Sequence, residues 1–139
     1  MEIREALPAD GSAIASVYRE GAAYYADLAP DLFQVPEEKG LVAFIPPRPE
    51  DNSEADRFEG NADLAKVRLF IHGLSVRRDR WRQGVATALV DAAEVWGRER
   101  GAAIALCDTW VDSPLSLPFW RQRMGYRPRA VRLRKPLAD

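Results

Sequence analysis

The chain is 139 residues long, 47% hydrophobic and 29% charged, with a formal net charge of −1. That length suits one domain spanning residues 1–139 around a single core, and the balance of apolar and charged residues argues against disordered, collagen-like and coiled-coil classes. One histidine and one cysteine exclude an intrachain disulfide and argue against a zinc cluster, so no metal is expected.

No run approaches the roughly 18 consecutive apolar residues of a membrane span, and Met1-Glu2-Ile3-Arg4-Glu5 lacks the basic start and apolar core of a signal peptide. A cytoplasmic protein without a membrane partner is expected. Charge is unevenly placed: residues 1–65 carry 14 acidic and 5 basic side chains, a net of −9, whereas residues 66–139 carry 7 and 15, a net of +8. Either these are solvated faces that attract one another across the fold, or the basic half receives a polyanionic ligand and the acidic half a cationic one.

In chain order, Glu2 to Ala6 alternates like a short strand, and Leu7-Pro8-Ala9-Asp10 is a helix-start signal. The helix that follows runs to about Leu28, turns Ile14, Val17, Tyr18, Ala22 and Tyr25 toward a core, and is stopped by Pro30. Asp31 to Gly40 reads as a weaker helix, limited by Pro36. Leu41-Val42-Ala43-Phe44-Ile45 is either a buried strand or the last turns of that helix. From Pro46 to Ala62 the polar, acidic residues make an exposed loop, or a flap over a substrate.

The strongest pattern lies between Val67 and Gly101. An apolar run through Val76 reads as a strand, and an arginine-rich turn (Arg77, Arg78, Arg80, Arg82) leads into a helix with Val85, Leu89, Ala92, Val95 and Trp96 along its apolar stripe. Gly101 ends that helix, and Ala102 to Thr109 reads as a strand covered on both faces. Strand, helix and strand make a right-handed crossover with parallel strands. A last helix is expected between Ser113 and Met124, with Gly125 at its end and Pro118 delaying its regular start. The tail alternates as a half-exposed strand, Val131 and Leu133 against Arg132 and Arg134.

The chemistry-bearing features cluster around the first crossover strand. Gly73 interrupts it, as at a bulge, which would release the N–H groups of Leu74 or Val76 from the ladder. A helix N-terminus behind a tight turn offers unpaired N–H groups and a partial positive charge, a socket for phosphate. His72, beside the presumed bulge, is either a general base or a packed strand residue. Asp108 is the rival base or an anchor for a cationic substrate. Cys107 lies in an apolar run, where a buried, inert thiol is expected rather than a nucleophile.

Taken together, these residues resemble the GNAT superfamily of acyl-CoA-dependent N-acyltransferases. Leu74-Ser75-Val76, five intervening residues, and Arg82-Gln83-Gly84-Val85-Ala86-Thr87-Ala88-Leu89 are similar to that family's strand and pyrophosphate loop. Phe119-Trp120-Arg121-Gln122-Arg123-Met124-Gly125-Tyr126 resembles its later helix, and Ile3-Arg4 with Pro8-Ala9-Asp10 its beginning. The resemblance implies a GNAT-like α/β (α+β) fold, a mixed sheet with flanking helices, shortened here in its N-terminal half. A homodimer contact is one way to cover that shortened edge.

The resemblance also implies acetyl-CoA as cosubstrate. Leu74 and Val76 would lie along its pantetheine arm, and the amides of Arg82, Gln83, Gly84, Val85, Ala86 and Thr87 would hold its pyrophosphate. Ser113 and Trp120 fall at two further cofactor-facing positions. The N–H of Leu74 would face the thioester carbonyl while an amine acceptor attacks it, with His72 or Asp108 taking the proton. Trp81 stands where the family's loop usually has Gln or Arg, and Trp120 where many members have a tyrosine. The implied activity is N-acetyl transfer to an amine in a ternary complex; the alternative is a non-catalytic CoA-binding or regulatory module. Arg127, Arg129, Arg132, Arg134 and Lys135 form a basic tail, but the overall acidity argues against nucleic acid as a partner.

Overall fold

The computed structural model describes residues 1–36 and 67–137. The helix expected over Asp31–Gly40 is not formed across residues 31–36, where Asp31 and Leu32 make a turn and residues 33–36 are irregular; its remainder, the segment Leu41–Ile45, the loop to Ala62 and the shortened half of the sheet lie outside the described residues. The chain divides into two compact units, Met1–Asp108 and Thr109–Asp139.

The first unit begins with residues 1–7 outside any ladder, where the sequence alternation predicts a strand. Alternation selects faces and does not supply a partner, and none is present for Glu2 to Ala6 among the described residues. What anchors this end is polar: the Arg4 guanidinium donates to both Asp10 oxygens at 2.8 and 3.0 Å, and the Leu7 N–H donates to Asp10 Oδ2 at 2.7 Å. These contacts hold the Asp10 carboxyl down to about 2. A 3-10 turn, Pro8–Asp10, then opens helix α1, Gly11–Leu28. Proline fits the first helical turn because its missing N–H has no partner there anyway. The helix ends as expected, with Ala29 N–H donating to Tyr25 O at 2.9 Å and Pro30 following.

The face of α1 differs from the expected one. Ala15 is its buried residue, whereas Ile14 and Tyr18 are 50% and 46% exposed. Apolar periodicity scores large side chains, whereas α1 also comes close to its neighbours at small ones: a Cβ on Gly21 would stand 3.0 Å from Ser75 Oγ.

Strand β1, Val67–Ile71, pairs in parallel with β2, Ala102–Cys107, from Val67↔Ala102 to Ile71↔Cys107, with a register slip between Val67 and Arg68. The crossover between them is helix α2, Val85–Glu99, as the sequence predicts. Two boundaries are corrected. β1 stops at Ile71, short of Val76, where Gly73 at φ +61° takes the backbone out of the extended conformation. β2 stops at Cys107, and Ala103 and Ile104 are exposed, so it is not covered on both faces.

α2 buries Val90 and Gly97, while Val95 and Trp96 of the expected stripe are 48% and 45% exposed. The contact is set by the absence of a side chain: a Cβ on Gly97 would meet Leu69 Cβ and Cδ2 at 3.1 Å. Trp96 is instead overlaid by the Arg100 guanidinium, 4.0 Å from the ring centroid.

The second unit contains a single helical turn α3, Ser116–Pro118, running into a π-helical turn, Phe119–Arg123. The helix expected over Ser113–Met124 is therefore shorter and wider than predicted. Met124 N–H reaches back to Phe119 O at 3.0 Å and Tyr126 N–H to Trp120 O at 2.8 Å. The tail forms no strand: Val131 and Leu133 are 64% and 87% exposed. As at the N-terminus, alternation without a paired neighbour leaves extended chain.

Candidate functional site

The site is built where β1 and β2 end. Ile71 lies opposite Cys107, and the next residue on each side, His72 and Asp108, is exposed. His72 is not packed into a core; its ring stacks on Phe70 with centroids 4.0 Å apart and 27° between planes. Beyond Gly73 the backbone amides of Leu74 and Val76 lie past the last pair of the β1–β2 ladder, and among the described residues no strand pairs with them.

Cys107 is half-buried, and burial together with the neighbouring Asp108 carboxylate pushes its thiol up to about 11. It is a protonated thiol near neutral pH, as expected of an inert one.

The arginine-rich turn is tied down by its own polar atoms. Arg78–Asp79–Arg80 forms a 3-10 turn, and Arg77 donates to both Asp79 oxygens at 3.1 and 2.8 Å. The Arg78 N–H donates to the Glu20 carboxylate of α1 at 3.0 Å, and Gln83 Nε2 donates to Asp79 O at 2.9 Å. Arg82 adopts φ +62°, which costs a non-glycine residue roughly 1–2 kcal/mol. Gly84 follows at φ +80° as the N-cap of α2.

Ala88 is the first residue whose N–H is taken by the carbonyl of the N-cap, Gly84 O at 2.9 Å. The N–H groups of Val85 and Ala86 therefore lie in the first turn of α2, where the helix itself offers no acceptor and the macrodipole is positive. Arg82, Gln83 and Gly84 are exposed, and a Cβ on Gly84 would meet nothing within 4 Å. Val85, Ala86 and Thr87, which follow them, are half-buried.

α1 borders the other side of the strand end. Ala13, Ile14, Val17 and Tyr18 line a cleft of about 290 Å³ together with Gly73 and Ser75. The sequence placed Ile14, Val17 and Tyr18 in a core, so their part in a cleft was missed; periodicity does not distinguish a buried stripe from a groove wall. Tyr24 and Tyr25 lie elsewhere, Tyr24 edge-on to Trp81 at 5.8 Å and Tyr25 against Phe33 at 5.5 Å.

In the second unit Ser113 is 2% exposed, and its Oγ accepts the N–H groups of Leu115 at 3.4 Å and Ser116 at 3.0 Å. It caps the turn that follows. Trp120 is 6% exposed, between Phe119 at 5.2 Å and Tyr126 at 4.9 Å. Both roles are complete within the unit, so the cofactor-facing role expected of Ser113 and Trp120 rests on resemblance alone.

Among the described residues no helix is long and apolar enough to cross a membrane. A family model described as the Acetyltransferase (GNAT) family matches residues 3–126. The fold is similar to the crystal structure of a mutant BH1408 protein from Bacillus halodurans, with a TM-score of 0.74 and 16% identity over 99% of this chain and 100% of that one. At that identity the likeness concerns the fold alone. No curated protein matches the chain.

Proposed function

The chain belongs to the GNAT acetyltransferase family, and from that membership we propose that it transfers the acetyl group of acetyl-CoA to an amine acceptor by direct attack in a ternary complex. The observation that carries this reading is the exposed run Arg82–Gly84 leading, within the crossover between the parallel strands β1 and β2, into the N-terminus of α2. Acetyl-CoA supplies the activated acyl group and a diphosphate whose charge matches that socket. The amides of Arg82 to Thr87 hold the diphosphate, and those of Leu74 and Val76 receive the pantetheine arm.

The Leu74 N–H donates to the thioester carbonyl as negative charge develops there, an interaction worth roughly 3 kcal/mol when the donor is preorganised. An alkylamine has a pKa near ~10 and must lose a proton to attack; His72 takes it, with Asp108 as the rival base on the adjoining strand end. The apolar cleft beside Gly73 and Ser75 receives the body of the acceptor. The protein acts in the cytoplasm, as one catalytic domain able to pair with a second copy, and needs no metal.

Burial of Trp120 favours a second reading, a CoA-binding module without turnover, because an indole among aromatic rings offers no proton to a departing thiolate. Thiol release from acetyl-CoA measured against a panel of amines, beside calorimetric titration with CoA, separates the two. Binding with turnover supports the transferase; binding without turnover supports the module; no binding defeats both.

A further inference from the structure

We infer that Trp81, braced by α1, is a positioning residue that sets the turn between β1 and α2 for diphosphate binding, an inference that rests on the acyl-CoA reading above. The turn departs after Val76 and reaches α2 at Val85, and its exposed part, Arg82–Gly84, has to be presented in one orientation for its amides to converge on an anion. Trp81 ties the far limb to the near one. Its Nε1–H donates to Val76 O at 2.7 Å, closing the turn back onto the segment that follows β1.

The indole is itself held on two sides. Tyr24 meets it edge-on, with centroids 5.8 Å apart and planes at 90°, and the Arg78 guanidinium lies 5.5 Å from its centroid. One helical turn earlier on α1, the Glu20 carboxylate accepts the Arg78 N–H at 3.0 Å. Glu20 and Tyr24 are four residues apart, so one face of α1 grips the turn at two points. Arg82, the next residue after Trp81, stands at φ +62°, a conformation that persists only where neighbouring contacts fix it. The indole's single donor is spent on a carbonyl five residues back, on the near limb of the same turn. Here that donor preorganises the loop, so that less ordering remains to be done when an anion binds.

Trp81→Phe removes the Nε1–H donor and keeps an aromatic ring, smaller than the indole, on the side of Tyr24. In the full-length protein, calorimetry with CoA and with ADP, which carries a diphosphate but no pantetheine, is expected to show the same loss, roughly three- to tenfold, the net worth of one hydrogen bond. KM for acetyl-CoA rises by that factor with kcat unchanged, while turnover of S-acetylpantetheine, which has no diphosphate, stays at the wild-type level. A merely structural tryptophan would affect both donors alike. Wild-type affinity for CoA in Trp81→Phe, or an equal loss with S-acetylpantetheine, overturns the positioning role. Failure of the wild-type protein to bind CoA at all overturns the acyl-CoA reading, and this inference with it.

Discussion

Gly84 offers the sharpest test of the socket, because its surroundings separate backbone from steric effects. A Cβ placed there meets nothing within 4 Å, so substitution brings no clash, and the cost comes from the backbone at φ +80°. An L-residue held in that region loses roughly 1–2 kcal/mol, which for a domain of this length lowers Tm by about 3–7 °C. Valine, branched at Cβ, does not remain there, and relief by rotation to negative φ swings the first turn of α2 away from Arg82 and Gln83. Asparagine tolerates the left-handed region and serves as the control. Calorimetric titration with CoA and thermal denaturation are therefore expected to show Gly84→Val folded but at least about tenfold weaker in affinity, with Gly84→Asn close to wild type in both. A Gly84→Val protein that binds CoA as well as wild type refutes the reasoning, since the amide geometry would then not matter.

His72→Ala is expected to lower kcat by about 10²-fold or more while CoA affinity is retained, because a base acts on the amine and not on the diphosphate; an unimpaired variant moves the role to Asp108, to be checked with Asp108→Asn. The Arg4–Asp10 contact is pH-dependent in a defined sense. The Asp10 carboxyl is depressed to about 2 from an ordinary 3.8, so its stabilising effect is complete above pH ~4 and disappears as pH falls toward 2. Amide exchange at the start of α1 in wild type and Asp10→Asn should differ at pH 6 and converge near pH 2. Gly97→Val drives carbon into Leu69, already at 3.1 Å from a bare Cβ, and is expected to cost about 1–3 kcal/mol, read as a lowered Tm with catalysis per folded molecule unchanged.

The crossover was legible because its signals are local and strong: an apolar run, a glycine at the start and another past the end of α2, and a second apolar run. The family resemblance drew on the same stretch. Register within those elements was less legible. Val90 and Gly97 carry the buried face of α2 in place of Val95 and Trp96, since glycine leaves no mark in a hydrophobic pattern yet allows the helix to approach Leu69 most closely. Both alternating segments, Glu2–Ala6 and Val131–Arg134, were read as strands, although alternation says which side a residue faces and not whether another strand lies beside it. At the site, Gly84 and the turn before it stood out through the conjunction of strand, arginine-rich turn and helix start that carries the family resemblance. The bond from Trp81 to Val76 was not, because five residues of separation say nothing about which way an indole points.

The raised pKa of Cys107 bears on chemical compatibility. This sulfur belongs to the last residue of β2, directly before Asp108, in the neighbourhood proposed for an activated thioester. A thiolate there would exchange with the donor and leave the enzyme acetylated on its own side chain. With the thiol at about 11, only on the order of one molecule in ten thousand carries that anion at neutral pH. Burial, with the Asp108 carboxylate second, thus keeps this sulfur a poor competitor for an incoming amine.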